Sequence, residues 1–216
     1  PLILSLLECL DIKGTFFVPG KSAQDFPESV KAIIAGGHEI AIHGYTHDPP
    51  SSLTREEEEA QLKRTIQIFQ KFGINAKGYR APLYEISEHT LELLQKYNIR
   101  YSSNLMDDIK PYKHPKTGII ELPTQWIMDD WTQFNHGTED YPAPNATCEH
   151  VYQLWMEEFE DIHELGGIFI LVLHPQVIGR PSRVKMLERF ISKIREHEGV
   201  WIATCASVAK TLTEIL

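Results

Sequence analysis

Two imidazoles four residues apart, in His43-Gly44-Tyr45-Thr46-His47, form the pair in this sequence best suited to holding a metal. Neutral imidazoles at this spacing can grip a zinc-like ion from one side. Gly44 would let the backbone turn tightly enough behind a strand to bring them together. On residue type alone the motif is weak, because two surface histidines in a polar loop would read the same. His38, after Gly36-Gly37, reads as a structural histidine at the start of a strand. Further along the chain Arg80, Trp126 and His174 share one placement with the histidine pair. Each follows a segment with strand character.

Those segments recur with helices between them. Pro1–Leu10 reads as an amphipathic helix already under way with no polar cap, so a further N-terminal stretch is expected before it. Gly14–Val18 is an apolar, β-rich run closed by Pro19-Gly20. A helix from Ser22 to Ala35 leads to a strand at 38–42, and Thr54-Arg55-Glu56-Glu57 opens a helix to Phe72 as a capping box. Glu56–Glu59 reads as a solvated face of that helix. Strands are expected at 76–80, 100–104 and 118–122, with a helix at 87–97 between the first two. A long aperiodic stretch follows from Asp129 to Thr147, whose aromatics between Trp126 and Tyr141 could cover a site. The helix Cys148–Leu165 precedes Ile168–Leu173, apolar on both faces and so expected to be a fully buried strand. A helix at 182–197, a strand at 200–204 and a last helix at 207–216 complete the chain.

This alternation predicts a single α/β domain over residues 1–216, built as a distorted (β/α)7-type barrel with parallel strands. No Gly-rich dinucleotide fingerprint favours an open sheet instead. In such a barrel the working residues stand where strands end.

Composition narrows the function further. Of 216 residues, 42% are hydrophobic and 24% charged, with 30 acidic against 21 basic side chains and a formal net charge of −9. An acidic chain without clustered Lys and Arg does not track a nucleic-acid backbone. No apolar run is long enough to span a membrane. The three cysteines, Cys9, Cys148 and Cys205, show neither a disulfide framework nor a metal knuckle, which points to the cytoplasm.

Four blocks together carry a stronger signal: Gly14–Val18, Gly37–His47, Gly78-Tyr79-Arg80-Ala81-Pro82-Leu83-Tyr84, and Leu171-Val172-Leu173-His174-Pro175. In order and spacing they resemble the successive motifs of the polysaccharide deacetylase (NodB-homology) family. The His-Gly-Tyr-Thr-His wording, Leu122-Pro123 with Trp126, Asp129-Asp130-Trp131, and Gly179–Arg183 resemble its branch of peptidoglycan-deacetylase-like, allantoinase-like and cyclic imide hydrolase proteins. The resemblance implies a hydrolase of non-peptide C–N bonds, acting on an N-acetylated amino sugar or a small cyclic amide or imide. His43 and His47 would ligate a divalent metal, zinc by expectation. His174 would be the general acid, and Arg80 would hold a catalytic carboxylate ionised. The backbone amide near Tyr84 would face the oxyanion, and Asp130 and Trp126 would form a wall orienting Arg80 or His174. His43, His47, Arg80 and His174 are expected to meet in one pocket.

The family pattern opens with a strand ending in an Asp-Asp pair, supplying the base and a third ligand. That strand is expected before Pro1, so the domain reads as N-terminally incomplete and residues 1–216 as inactive by themselves. The competing reading is a ligand-binding module without catalysis. The same branch implies a homo-oligomer, a tetramer, with a small-molecule or glycan substrate and neither nucleic-acid nor membrane partner.

Overall fold

Aromatic and β-branched residues in Thr15-Phe16-Phe17-Val18 make β1 (Thr15–Val18), which pairs in parallel with β2 (Glu39–Ile42) so that Phe16 faces Ile40 and Val18 faces Ile42. β3 (Gly78–Tyr79) and β4 (Tyr101–Ser102) extend the sheet in parallel. A short hairpin of β5 (Tyr112–Lys113) and β6 (Ile120–Glu121) closes the row, with β6 parallel to β4 and β5 antiparallel on its outer edge. The sheet order is β1-β2-β3-β4-β6-β5. The result is a mixed α/β fold with a sheet dominated by parallel strands, the arrangement expected of a distorted (β/α)-type barrel. The computed structural model describes residues 2–134 and 146–215. Expectations that fall on 135–145, including much of the aromatic cover up to Tyr141, lie outside the described residues.

The described helices are α1 (Leu2–Cys9), α2 (Gly20–Asp25), α3 (Pro27–Ala35), α4 (Arg55–Gln70), α5 (Thr90–Lys96), α6 (Asp130–Phe134), α7 (Cys148–Leu165), α8 (Pro175–Ile178), α9 (Pro181–Ile194) and α10 (Cys205–Ile215). No helix among the described residues is long and apolar enough to cross a membrane, and all three cysteines are free thiols. Packing divides the chain into two compact units, Ile12–Pro123 with Ala203–Leu216, and Pro1–Asp11 with Thr124–Ile202.

The first unit holds the whole sheet. Its core gathers Ile40, Ile42, Leu62, Phe69, Tyr79, Leu93 and Leu94 from strands and helices. α4 starts on the expected capping box: Glu57 N–H donates to Thr54 Oγ1, and Thr54 N–H donates back to the Glu57 carboxylate. Glu58 departs from the expected solvated face. It is buried, and its two carboxylate oxygens accept the hydroxyls of Ser87 and Thr90, tying α4 to the start of α5. The expected single helix from Ser22 to Ala35 is broken at Phe26 because Pro27 brings no N–H and begins a new helix. α10 is tied to the sheet through its first amides, Cys205 N–H to Thr15 Oγ1 and Ala206 N–H to Glu39 Oε2.

Gly78 is required by close approach. A Cβ there would lie 1.8 Å from Cζ of Tyr101, whose ring is fully buried and whose hydroxyl donates to Glu39 Oε1 at 2.7 Å. Gly78→Ala must displace a rigid ring from a packed interior. A loss of about 1–3 kcal/mol or more is expected in chemical denaturation, and an unchanged midpoint would contradict this packing.

Among the described residues the second unit is helical, apart from a single parallel bridge between Asp129 and Val172. Its core is aromatic: Trp155 and Phe159 of α7 meet Phe190 of α9 edge-on, and Phe169 lies against both phenylalanines. Thr147 caps α7 by accepting His150 N–H at 3.2 Å. Arg195 donates to the Leu10 carbonyl at 2.8 Å and ties the end of α9 to the chain beyond α1. The fully buried strand expected at 168–173 is reduced to that one bridge, and 200–204 forms no strand. Apolar residues favour an extended conformation, but a strand exists only through a ladder. Among the described residues neither segment completes one.

Candidate active site

The loop after β2 is fastened before its histidines do anything. The Gly44 carbonyl accepts Gly20 N–H and Thr65 Oγ1–H, both at 3.0 Å, the Tyr45 carbonyl accepts Lys21 N–H at 3.0 Å, and Tyr45 N–H donates to Gln61 Oε1. Gly44 has the left-handed backbone, φ 68°, that the tight turn needs. His47 shares it at φ 73°, at a cost of about 1–3 kcal/mol for a residue with a side chain.

This geometry puts the His43 and His47 rings edge to face, with centroids 4.9 Å apart. His43 Nδ1 lies 2.7 Å from the Arg80 carbonyl oxygen. A carbonyl only accepts, so Nδ1 carries the proton and Nε2 keeps its lone pair. A hydrogen bond of this kind on the far ring nitrogen orients an imidazole to bind a metal. The donor set therefore fits a divalent ion of the zinc type.

Arg80 is buried at the end of β3. Its Nε donates to the Ser103 carbonyl at 3.1 Å and its Nη2 to Ser103 Oγ at 2.7 Å, while Cζ lies 4.2 Å from the Phe17 ring centre. The turn beyond it holds two residues with side chains in the left-handed region, Leu83 at φ 57° and Tyr84 at φ 61°. Tyr84 N–H donates to the Ala81 carbonyl at 3.0 Å. An oxyanion role for that amide would have to share or exchange this bond.

Behind the turn stand polar residues that pattern reading passed over. Asn104 and Glu121 are buried, and Glu121 Oε1 accepts the N–H groups of Asn104 and Leu105. Burial pushes the Glu121 carboxyl up, but hydrogen bonds from His114, Asn104, Leu105 and Ser102 outweigh it and hold the group below the ordinary glutamate value.

In the second unit, the Asp129–Val172 bridge sets Asp130 beside His174. Asp130 N–H donates to the Val172 carbonyl, and Val172 N–H to that of Met128, both at 3.0 Å. His174 N–H reaches both carboxylate oxygens of Asp130 at 3.0 Å, and His174 Nδ1 lies 2.7 Å from Asp130 Oδ1. Asp130 is fully buried. Desolvation raises its pKa, reinforced by the charge of Asp129 and only partly offset by the bonds to His174. Asp129 accepts Trp131 N–H at 2.8 Å and so starts α6 inside what reads in sequence as an aperiodic stretch.

Asp129, Asp130 and His174 bring ligand-capable atoms within 4.8 Å of one another, a group that could hold a metal ion. The hydrogen bonds spend several of those atoms within the cluster, which favours an oriented acid–base pair. Asp130, expected in a wall orienting Arg80 or His174, is hydrogen-bonded to His174. Trp126 lies on a short 3₁₀ turn, half exposed, with its carbonyl accepting Thr132 Oγ1–H. Trp131, not singled out for chemistry by the spacing argument, stands edge-on to the His174 ring at 5.3 Å. The Asp-Asp-Trp wording was the signal available for it.

Comparison with known proteins places the chain among polysaccharide deacetylases. The family described as polysaccharide deacetylase matches residues 1–102. A peptidoglycan deacetylase of Helicobacter pylori is 29% identical over 94% of this chain and 80% of its own length. The crystal structure of a putative polysaccharide deacetylase from Mycobacterium smegmatis superposes with a TM-score of 0.94 at 34% identity, over 100% of this chain and 77% of that one. The structure of Puue allantoinase follows with a TM-score of 0.84 at 25% identity, over 97% and 70%.

Proposed function

The chain belongs to the polysaccharide deacetylase family, and on that premise we propose that it serves a metal-dependent hydrolase that cleaves the amide of an N-acetylated amino sugar. The observation that carries this reading is the His174–Asp130 pair, an imidazole just past the Asp129–Val172 bridge, held by Nδ1 and by its own backbone amide on one buried carboxylate. With Nδ1–H spent on Asp130, His174 presents Nε2 to the substrate. Once water has added to the carbonyl carbon and given a proton to the carboxylate base, the protonated Nε2 delivers its proton to the leaving nitrogen as the C–N bond breaks. Asp130 fixes the tautomer and stabilises the imidazolium. His43 and His47 would hold the metal, which when bound polarises the scissile carbonyl and lowers the pKa of water. Arg80, clasped by Ser103 and Phe17, holds the carboxylate base of the family pattern ionised. The half-exposed Trp126 and Trp131 offer ring faces to the apolar side of a sugar.

A second reading, opening of a small cyclic amide or imide, is supported by the likeness to Puue allantoinase. Assay of the full-length protein, with and without added zinc, separates the two. Acetate release from an N-acetylglucosamine tetramer supports the first, and ring opening of succinimide the second. Tight binding of either compound without turnover would leave a binding module and overturn both.

A further inference from the structure

The parallel ladder between β3 and β4 stops short at a particular atom. Tyr101 N–H donates to the Lys77 carbonyl and Ser103 N–H to that of Tyr79. One step further in this register, Ala81 N–H would donate to the Ser103 carbonyl. Arg80 Nε occupies that carbonyl instead. The acceptor that Ala81 needs comes from a side chain: Ala81 N–H donates to Asn104 Oδ1 at 2.6 Å. Asn104 is itself held by two further bonds, one of them backed by a third. Its Nδ2 donates to Ser102 Oγ at 2.8 Å, its backbone N–H donates to Glu121 Oε1 at 2.7 Å, and Glu121 Oε2 lies 3.0 Å from His114 Nε2 on the β5–β6 hairpin. Every link but His114 is buried, so an unmade bond here has no water to replace it.

We propose that Asn104, oriented by Glu121 with His114 behind it, is a positioning residue that holds Ala81 and thereby frees the Ser103 carbonyl to fix the Arg80 guanidinium. The inference rests on the reading that Arg80 works at the reaction centre. Without Asn104, Ala81 N–H has one acceptor within the ladder's register, the carbonyl that Arg80 uses. Both donors must then share that one oxygen, which shifts the guanidinium from its present geometry, and the left-handed pair Leu83 and Tyr84 loses its anchor at the near end of the turn.

The test compares Asn104→Ala with Glu58→Ala in the full-length, zinc-loaded protein. Glu58 is also buried and hydrogen-bonded in the same unit but binds Ser87 and Thr90, past the end of this turn, and none of residues 80–85. Asn104→Ala is expected to lower kcat for acetate release from the N-acetylglucosamine tetramer by about tenfold or more, with zinc content unchanged and KM nearly so. Outer-shell partners act at about this scale. Amide hydrogen exchange across residues 80–85 should quicken by a similar factor. Glu58→Ala should lower the melting temperature and move neither quantity. Should Asn104→Ala not fold, Asn104→Ser, whose hydroxyl is too short to reach Ala81, gives the same comparison. Exchange at 80–85 unchanged, or kcat falling only with the folded fraction as in the control, would overturn the proposal. If the wild-type protein releases no acetate, the deacetylase reading fails, and the exchange measurement still decides whether Asn104 holds the turn.

Discussion

Alanine at either His43 or His47 is expected to remove bound zinc and hydrolysis together from the full-length protein. His43 Nε2 has its lone pair in place only because Nδ1–H is bound to the Arg80 carbonyl, and the loop between the two histidines is pinned at Gly44 and Tyr45. A preorganised pair of this kind binds as a unit, so one ring alone keeps little of the affinity. Loss of an outer-shell partner typically costs ~10–100-fold in metal affinity, and loss of a ligand should exceed that. The fold should survive, since His47 is exposed and His43 only half-buried. Metal analysis after exhaustive dialysis, set beside a thermal melt, checks both parts. Wild-type zinc content in either variant would sink the ligand assignment.

The histidine pair was legible because everything it needs is local: two imidazoles, a glycine able to take φ 68°, and a strand behind them. The capping box at Thr54 and the helix Cys148–Leu165 were legible for the same reason, as patterns closed within a few turns. What sequence reading lost was settled by partners far along the chain. Glu58 looks like its neighbours Glu56, Glu57 and Glu59, and only the hydroxyls of Ser87 and Thr90, roughly thirty residues away, make it a buried anchor. Ile168–Leu173 has the composition of a buried strand, yet composition cannot supply the neighbouring backbone that would turn it into one. Asn104 was invisible on the same ground. A polar residue just past a short strand is ordinary in sequence, and its meaning lies in the Ala81 amide that the ladder leaves over. Asp130 falls between these cases: the Asp-Asp-Trp wording marked it, but its grip on His174 depends on a bridge between residues 129 and 172.

That grip leads to the last expected result. Asp130→Asn should lower kcat by about 10²–10⁴-fold, the range spanned by a positioned acid–base group, without lowering stability. The two effects separate because of the sign of the pKa shift. Burial raises the Asp130 carboxyl above its ordinary value. The native state therefore holds that proton more tightly than the unfolded chain, whose aspartates titrate near ~3.9. By linkage, this group's contribution to stability falls as pH rises from the unfolded value through the raised native one. At neutral pH the ionised carboxylate is a net cost to the fold. Asparagine removes the buried charge and keeps an oxygen for the His174 N–H groups, so the melting temperature at pH 7 should hold or rise. Catalysis needs the opposite: an ionised Asp130, to fix Nδ1–H and stabilise the imidazolium that carries the Nε2 proton to be delivered. The wild-type rate should then fall on the acid side at a pH above that of an ordinary aspartate, and the residual rate of Asp130→Asn should lack that limb. His174→Ala should lose a comparable factor, and the double variant little more, because the two residues act as one unit. A pH–rate profile and a melt on the same preparations decide it. A variant that is both active and destabilised would mean that the carboxylate serves the fold and not the proton transfer.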